Sequence, residues 1–339
     1  MRILVVTDAW RPQVNGVVRS LEHLAREAPA FGAEVAFLTP DDFPTVPLPG
    51  YKEIRLAWPW PDTVRRAIAT SRADAVHIAT EGPIGWAARH VCRRDGHAFT
   101  TSYHTRFPEY LAARLPVPLA LSYATLRRFH NSGEGTMVGS PTLARDLAAH
   151  GFRKLMPWSR GVDAELFRPR PRSRQRFAHP VFLFVGRLAV EKNVEAFLAL
   201  DLPGSKVVVG DGPLRDRLPE RFPDVHFLGL RTGEALAEVY AAADVFVFPS
   251  RTDTFGIVLL EALASGVPVA AFPVMGPLDV VGESGCGCLD RDLRRAALQA
   301  LDIPRDKCRD HALRFTWRHS VGQFLDNVRQ AHGLFVGAA

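Results

Sequence analysis

The stretch VFPSRTDTFGIVLLEALASG, residues 247–266, contains residue types suited to binding a phosphate and a sugar. An apolar run leads into a turn that holds Asp253, and a helical pattern carrying Glu261 follows. A helix that begins near Gly256 would point its unbonded N–H groups and the positive end of its dipole at an anion. Carboxylates accept hydrogen bonds, so Asp253 suits the hydroxyls of a sugar and Glu261 suits a ribose diol.

Both carboxylates also have a structural interpretation. Asp253 could cap the helix. Glu261 lies in an apolar stretch with Ile257, Val258 and Leu260, and an unpaired buried carboxylate costs several kcal/mol. The sequence therefore predicts a partner for Glu261, either a ligand or a side chain such as an arginine.

Two cations follow another apolar run. In FVGRLAVEKN, Gly186 and Arg187 come directly after the run, and Lys192 lies further along. Arginine offers a planar fork and lysine a point charge, so the pair suits a diphosphate at the carboxyl end of a strand. A solvated basic surface is the alternative interpretation.

The turn VVVGDGP is a weaker signal. It holds Gly210 and Gly212, but the third glycine of a dinucleotide fingerprint and its distant acidic residue are missing. A tight turn explains the two glycines equally well.

The first part of the chain offers its own candidates. VNGVVRSL places Asn15 and Gly16 after the first strand, where a glycine lets the backbone approach a ligand closely. TTSYHTRFPEY places Tyr103, His104 and Arg106 at and beyond another strand end. A lone histidine is more often structural than catalytic.

The cysteines and aspartates do not form a metal-binding pattern. The cysteines are few and scattered, and the Cys286–x–Cys288 pair has no second pair to complete a zinc site. Free thiols in a cytoplasmic protein are the simpler interpretation. In DRD, Asp290 and Asp292 precede a helical pattern, so Asp292 is expected to be a helix N-cap, and no metal or other cofactor is expected.

Length and charge limit the class of protein. A chain of 339 residues predicts two domains. The net charge of +6 suits an anionic small ligand or an acidic membrane surface, whereas nucleic acid binding calls for a concentrated basic stripe and is not expected. No apolar run reaches the length of a membrane span, so the expected location is cytoplasmic or peripheral at the inner face of the cytoplasmic membrane.

Short apolar runs alternate with helical patterns along the whole chain, which predicts an α/β fold of two Rossmann-like, doubly wound domains. Pro and Arg replace the periodic apolar residues over residues 167–180, which predicts a linker. The expected organisation is an acceptor-side domain over 1–166, a nucleotide-sugar domain over 181–314, and a helix over 315–339 that packs on the first domain. Ligands bind beyond the carboxyl ends of strands in such sheets, so the cleft between the domains is the expected site.

Several ordered motifs resemble those of one enzyme family. They are NGV after the first strand, YHT, RGVDAELF, VGRLAVEKN, VVGDGP and FPSRTDTFGIVLLEALASGVPV. Over essentially its whole length the chain resembles the retaining nucleotide-sugar glycosyltransferases of GT-B fold in family four (group 1). TDTFG looks like the branch with bacterial alpha-mannosyltransferases and sulfoquinovosyl, glucosyl or glucuronosyl diacylglycerol synthases.

The resemblance implies roles for the charged residues. Gly16 borders the donor diphosphate, Arg187 and Lys192 hold it, and Glu261 binds the ribose. Asp253 takes the place of the first member of the family's Glu-seven-Glu pair, which contacts the donor sugar. It is one methylene shorter than glutamate, so the identity of the donor does not carry over.

The resemblance also places His104 in the sugar pocket. Other positions expected to bind the donor flank these residues: Asn15, Gly186, Gly212, Thr254, Phe255, Gly256 and Ile257. Tyr103 and Arg106 are the acceptor-side candidates. The implied mechanism is front-face transfer with retained configuration, in which Arg187 and Lys192 stabilise charge on the departing diphosphate without a metal.

Two segments could admit a lipid acceptor. Residues 110–130 combine apolar residues with Arg114, Arg127 and Arg128, and LAWPWP adds two tryptophans near Lys52 and Arg55. Such segments suit an anionic membrane surface, or they pack on the domain's own core with a wet basic edge. A growing polysaccharide or another soluble acceptor is the alternative to a lipid.

Other classes of protein fit the sequence less well. A non-hydrolysing sugar-nucleotide epimerase would need several catalytic carboxylates in the first domain, where Glu81 and Glu109 are scattered candidates. A dehydrogenase would need a full Gly-x-Gly-x-x-Gly after the first strand. The sequence does not separate a non-catalytic sugar-nucleotide sensor from an enzyme. A turnover assay does, because only the enzyme transfers sugar.

Overall fold

A computed structural model describes residues 1–48, 51–112, 117–171 and 177–334. Its contacts divide the chain into two compact units. Unit 1 comprises Met1–Arg160 and the chain from Trp317 onward, and unit 2 comprises Gly161–Thr316. Each unit is a parallel sheet with helices, as predicted for two Rossmann-like domains.

Unit 1 contains a six-stranded parallel sheet in the order β2-β1-β5-β6-β7-β8 and a separate antiparallel hairpin of β3 and β4. The strands are β1 Arg2–Val6, β2 Glu34–Leu38, β3 Thr45–Leu48, β4 Tyr51–Ala57, β5 Ala75–Ile78, β6 Phe99–Tyr103, β7 Gly135–Val138 and β8 Leu155–Pro157. The helices up to β8 are α1 Gly16–Glu27, α2 Pro61–Ser71, α3 Pro83–Asp95, α4 Phe107–Ala112, α5 Leu119–His130 and α6 Pro141–Ala149. Short 3₁₀ turns lie at Ala28–Phe31 and Pro40–Asp42.

Strands β1, β5 and β6 of this sheet are buried on both faces because helices cover both. In β1, Ile3 and Val5 pack in one apolar cluster, whereas Leu4 and Val6 pack in another. Helix α6 has the predicted ends: the Ser140 hydroxyl accepts from the Leu143 amide at 3.3 Å, and Gly151 follows the helix in a left-handed conformation with φ of 80°.

Unit 2 repeats the plan with a six-stranded parallel sheet in the order β11-β10-β9-β12-β13-β14. The strands are β9 Val181–Val185, β10 Ser205–Val209, β11 His226–Phe227, β12 Val245–Phe248, β13 Val269–Ala271 and β14 Gly287–Leu289. The helices are α7 Val194–Leu198, α8 Arg217–Arg221, α9 Gly233–Ala242, α10 Ile257–Ala264, α11 Pro277–Val280, α12 Leu293–Ala300 and α13 Arg305–Ala312, with a 3₁₀ turn at Val190–Lys192.

Strand β9 shows how this core is divided. Val181, Leu183 and Val185 join one apolar cluster, and Phe182 and Phe184 join the cluster on the other face. Strand alternation thus gives each face its own set of side chains. The strand is held in the middle of the sheet, between β10 and β12.

The last helix, α14 Trp317–His332, groups with unit 1, where Val321, Phe324, Leu325 and Val328 are buried. The boundary before it differs from the prediction. The division between units falls after Arg160, so residues 161–180 belong to unit 2, where Phe167 is part of the core. Residues 172–176 of the expected linker lie outside the described residues.

Composition pointed to the wrong boundary because Pro and Arg also occur in a segment that folds onto a domain. In unit 2 the Arg309 guanidinium donates to the carbonyls of Phe167 and Ala164, at 2.7 and 3.0 Å. Val162 pairs with Thr316 in a parallel bridge, so the chain enters and leaves unit 2 side by side.

Candidate functional site

Three loops meet at the carboxyl edge of the unit 2 sheet, where the strand order reverses around β9. Such a switch point is where open α/β sheets bind ligands. The Asn193 side-chain amide donates to the Pro249 carbonyl at 3.0 Å, and the Thr252 hydroxyl donates to the Glu191 carbonyl at 3.2 Å. The Leu188 amide donates to the Asp211 carbonyl at 2.9 Å. These bonds join the loops after β9, β12 and β10 into one surface.

The glycines of the third loop are required by this close contact. Gly210 and Gly212 have φ of 145° and 156°, which side chains rarely adopt. A Cβ on Gly210 would come within 1.9 Å of the Gly186 carbonyl oxygen, and one on Gly212 within 2.6 Å of the Leu188 carbonyl oxygen. Tight packing of the loops therefore explains why the GDGP turn needs its two glycines. Gly212 and Gly186 both belong to the surface that the three loops form.

Lys192 and Asp253 form an ion pair across two of the loops. The Lys192 ammonium lies 2.5 Å from Asp253 Oδ1, and both side chains are largely buried. Asp253 Oδ2 is also buried, and it has no hydrogen-bond partner among the described residues. Arg187 is half-buried in the same loop as Lys192. Buried polar atoms are normally satisfied, so Oδ2 is a candidate acceptor for a ligand hydroxyl.

Helix α10 begins beside this pair, as predicted. Gly256 is its N-cap with φ of 85°, and a Cβ there would meet Leu259 at 3.1 Å, so glycine is needed at this position. Thr254 and Ile257 are half-buried around it. Phe255 is buried in the unit 2 core.

The Glu261 carboxylate has the partner that its burial requires. It is 2% exposed, and the Tyr240 hydroxyl donates to its Oε2 at 2.9 Å. A tyrosine from α9 therefore contacts the carboxylate, which lies one turn inside α10. Nothing in the sequence around Tyr240 indicates this contact, because it joins two helices.

The unit 1 candidates Asn15 and Gly16 lie at the start of α1. Asn15 Oδ1 accepts from the amides of Val17 and Val18, both at 3.0 Å, and its amide nitrogen donates to Gln13. Asn15 is therefore a helix cap, which the prediction of a donor-binding side chain did not consider. Gly16 is exposed at the first turn of the helix.

Asp8 was not predicted, although it lies only two residues after the end of β1. Its carboxylate accepts from the amides of Ile84 and Gly85 at the start of α3, at 2.8 and 3.2 Å, and from the Thr80 hydroxyl at 2.9 Å. Burial raises the pKa of this carboxyl. A Cβ on Gly82 would lie 2.3 Å from Asp8 Cγ, so the two loops are in close contact.

His104 follows β6 and contacts a buried arginine. Arg160 Nη2 lies 3.0 Å from His104 Nδ1, and the edge of the Trp158 ring packs against the imidazole. Burial, followed by the charge of Arg160, lowers the pKa of His104 well below its usual value. The ring is therefore neutral at pH 7. Arg160 stands in the RGVDAELF motif, but sequence alone does not reveal that it is buried.

The two acceptor-side candidates are engaged inside unit 1. Tyr103 is 1% exposed, and its ring packs against His130 and Phe152, so it is a core residue and cannot contact an acceptor directly. Arg106 forms a very short ion pair with Glu109. Tyr103 is buried because it is the last residue of a central strand that helices cover on both faces.

The carboxylates that an epimerase would use also have structural partners. Glu81 lies 2.9 Å from Nε2 of buried His130, and Glu109 accepts from the Tyr123 hydroxyl at 2.7 Å. The described residues contain no group of three or more histidines, cysteines or acids that could hold a metal ion. Asp292 caps α12 as predicted, accepting from the Arg294 and Arg295 amides at 3.0 and 3.2 Å.

Exposed apolar side chains lie on α4 and at the start of α5 in unit 1. Phe107, Leu111, Leu119 and Leu121 are 41–61% exposed. Arg128 is exposed nearby, and Arg127 donates to the His150 carbonyl at 2.9 Å. Arg114 lies outside the described residues.

The predicted tryptophans Trp58 and Trp60 are 65% and 62% exposed after β4. Across the described ranges, no helix combines the length and hydropathy needed to cross a bilayer.

A cavity of about 390 Å³ in unit 2 lies away from these loops. His179 and Pro180 precede β9, Asp244 precedes β12 and Pro268 precedes β13, so the cavity is at the amino ends of the strands. The candidate site at the carboxyl edge is a surface made of loops.

Comparison with known proteins gives two family matches that together span most of the chain. Residues 14–166 match the family described as Glycosyltransferase Family 4. Residues 179–303 match the family described as Glycosyl transferases group 1. The loops of the candidate site after β9, β10 and β12 all lie within the second match.

Two curated relatives align along most of their own length. A GDP-mannose-dependent alpha-mannosyltransferase of Mycobacterium tuberculosis (strain CDC 1551 / Oshkosh) is 34% identical over 319 residues, covering 85% of this chain and 83% of the relative. An alpha-monoglucosyldiacylglycerol synthase of Streptococcus pneumoniae (strain ATCC BAA-255 / R6) is 26% identical over 361 residues, covering 92% and 81%.

Among solved structures, sucrose-phosphate synthase from Thermosynechococcus elongatus matches with a TM-score of 0.77 and 20% identity, covering 98% of this chain and 100% of that chain. This likeness shows the fold.

Proposed function

The chain belongs to the family four (group 1) glycosyltransferases, and from that premise we propose that it moves a hexose from a nucleotide-diphosphate sugar to a hydroxyl of a membrane lipid such as diacylglycerol, with retention of configuration. The Lys192–Asp253 pair carries this proposal. It places an ammonium and a buried, unsatisfied carboxylate oxygen beside the start of α10. A sugar joined to a phosphate presents the matching groups, a hydroxyl and an anion.

In the proposed complex, Arg187, Lys192 and the amides at the start of α10 bind the diphosphate. Asp253 Oδ2 accepts from a hydroxyl of the hexose, while Oδ1 holds Lys192 in place. Glu261, oriented by Tyr240, accepts from the ribose hydroxyls. Gly16, which has no side chain to obstruct its backbone, is proposed to border the diphosphate, and His104 is proposed to contact the hexose.

The proposed reaction is front-face transfer. The sugar C1–O bond to the diphosphate breaks as the acceptor oxygen bonds to the same face of C1, and the departing phosphate oxygen takes the acceptor proton. Arg187 and Lys192 stabilise the negative charge that develops on the leaving group. We propose that this needs no metal. Full activity after exhaustive chelation supports that part, and a loss that magnesium or manganese restores contradicts it.

The donor is proposed to be a GDP- or UDP-linked hexose. The mycobacterial relative is named for GDP-mannose, which supports the first choice. Thermal-shift screening against GDP-, UDP- and ADP-sugars tests it, because a ligand at a hundred times its Kd adds about 2.7 kcal/mol of stability. If none of these sugars stabilises the protein, the proposal is contradicted. If a sugar stabilises the protein but is transferred to no acceptor, the protein is a non-catalytic sensor.

The lipid acceptor is supported by the exposed apolar side chains Phe107, Leu111, Leu119 and Leu121 and by the diacylglycerol in the name of the streptococcal relative. We propose that these side chains, with Trp58 and Trp60, dock on an anionic membrane surface. Apolar side chains would insert, and Arg128 would contribute about 1 kcal/mol by attraction to anionic lipid.

The test is vesicle co-sedimentation. Leu119→Ser combined with Leu121→Ser is expected to weaken binding by about 2 kcal/mol, roughly thirtyfold. Leu230→Ser is the matched control, because Leu230 is a similarly exposed leucine in unit 2. Equal binding by all three proteins, or sugar transfer to a soluble polysaccharide in preference to diacylglycerol, favours the soluble-acceptor alternative.

A further inference from the structure

Arg160 is held almost entirely inside unit 1. It is 5% exposed and lies 4.3 Å above the ring of Trp158. Its Nη1 donates to the carbonyls of Trp158 and Ser159, the second at 3.0 Å, and its Nη2 lies 3.0 Å from His104 Nδ1. Burial lowers the pKa of Arg160 to about 9, so it is still largely charged at pH 7.

The segment that carries Arg160 is itself fixed by α14. Gln323 Oε1 accepts from both the amide and the hydroxyl of Ser159, at 2.9 and 2.7 Å. The Ser320 hydroxyl donates to the Ser159 carbonyl at 2.7 Å, and Asn327 donates to the Pro157 carbonyl at 2.7 Å. The C-terminal helix therefore sets the position from which Arg160 reaches His104.

The contact with Arg160 decides the protonation of the imidazole. A guanidinium has hydrogen-bond donors and no acceptor, so His104 Nδ1 must accept. The neutral ring then carries its proton on Nε2. The other titratable neighbours that act on His104 are His77 and His130, and each of them also disfavours a positive charge on the ring.

We propose that Arg160 is a positioning residue that fixes His104 in the Nε2–H form, so that Nε2 donates a hydrogen bond to an oxygen of the transferred hexose. This rests on the proposed function, in which His104 contacts the hexose. A histidine that could change tautomer would lack this donor in part of the molecules, whereas the fixed form always presents it. Arg160 thereby acts on the bound sugar without touching it.

The tautomer can be measured without any substrate. Protein labelled with ¹⁵N-histidine is compared by long-range ¹H–¹⁵N NMR, and the His104 signals are those lost in His104→Gln. We expect a protonated Nε2 in the wild type and a mixture of tautomers in Arg160→Met. Arg89→Gln is the matched control, because Arg89 is another buried arginine of unit 1 that donates to Ser132 and to the carbonyls of Phe129 and Arg128.

A proton on Nδ1 in the wild type, or an unchanged tautomer in Arg160→Met, overturns the inference. Should Arg160→Met fail to fold, Arg160→Lys takes its place. A lysine also has donors and no acceptor, so it should keep the Nε2–H form while losing part of the carbonyl contacts.

Turnover tests the second half of the inference. A glutamine at position 104 places its amide donor near Nε2, and an asparagine places it near Nδ1. We expect His104→Gln to keep a kcat at least roughly tenfold above that of His104→Asn, the worth of one hydrogen bond to the reacting sugar. Equal rates in the two variants overturn this half. If the wild type transfers no sugar at all, the proposed function fails, and the NMR comparison still decides the role of Arg160.

Discussion

The carboxyl edges of the two sheets use polar residues in opposite ways. In unit 2, charged side chains join loops from different strands, and one carboxylate oxygen of Asp253 is left for a ligand. In unit 1, the polar groups mostly serve the fold: Asp8 and Asn15 cap helices, and Glu81 pairs with His130. Two sheets of similar topology therefore differ at this edge: among the described residues, unit 2 keeps a buried carboxylate oxygen without a hydrogen-bond partner, whereas most of the unit 1 carboxylates named here contact backbone amides or an imidazole.

The largest effect is expected at the cations of unit 2. Arg187→Ala and Lys192→Ala should each lower kcat at least about a hundredfold, because each removes a preorganised contact to the departing diphosphate. Lys206→Ala is the control, since this lysine donates to the carbonyls of Leu198 and Leu200 away from the site. Near-normal turnover in both Arg187→Ala and Lys192→Ala would show that the carboxyl edge of the unit 2 sheet does not hold the diphosphate.

The next effect concerns Asp253. Asp253→Asn should lower kcat/KM by roughly 10- to 100-fold, because a hydrogen bond to a charged group is worth about 1.5–3 kcal/mol and the ion pair to Lys192 is lost as well. Asp211→Asn, in the neighbouring glycine loop, should have little effect, since Asp211 contacts Gly212 and Arg215. A similar loss in both variants would indicate a general charge effect.

Acid should destabilise unit 1 through its buried imidazoles. His77 lies between Thr100 and Ser102, and burial lowers its pKa to about 3. Between that value and the usual 6.5 the unfolded chain binds a proton that the folded unit does not, so stability falls as pH falls below 6.5. Lowering the pH from 7.5 to 5.5 should cost about 1.4 kcal/mol through this residue.

Urea unfolding at the two pH values measures this loss. All six tryptophans belong to unit 1, so their fluorescence reports that unit. His77→Gln should lose less stability on acidification than the wild type, and the exposed His97→Gln should behave like the wild type. An identical pH dependence in all three proteins contradicts the assignment.

The smallest effect is expected at Asn15. Asn15→Ala should lower the stability of unit 1 by about 1 kcal/mol, the worth of a helix cap, and Asn15→Ser should restore most of it. Turnover of the folded variants should change little, because the Asn15 side-chain oxygen accepts hydrogen bonds from the first amides of α1. A large loss of kcat with unchanged stability would instead place the Asn15 side chain in the donor site.

Local features of the fold could be predicted from the sequence. Strands such as Val181–Val185 are continuous apolar runs, and the caps Ser140 and Asp292 act on amides two or three residues away, so the information lies within a few positions. The domain boundary, in contrast, depends on contacts between residues that are distant in the sequence. Residues 167–180 look like a linker by composition, but their place was decided by contacts such as that of Arg309 with Phe167.

The sequence by itself determined which residue types stand at the strand ends: Arg187, Lys192, Asp253 and His104 were all found there. The tertiary structure decided how they are used, because their partners are distant in the chain. Asp253 pairs with Lys192 across 61 positions, Glu261 with Tyr240 across 21, and His104 with Arg160 across 56. Sheet order brings such residues together, and burial then selects which carboxylates and imidazoles must be paired, which is also why Tyr103 belongs to the core and not to the site.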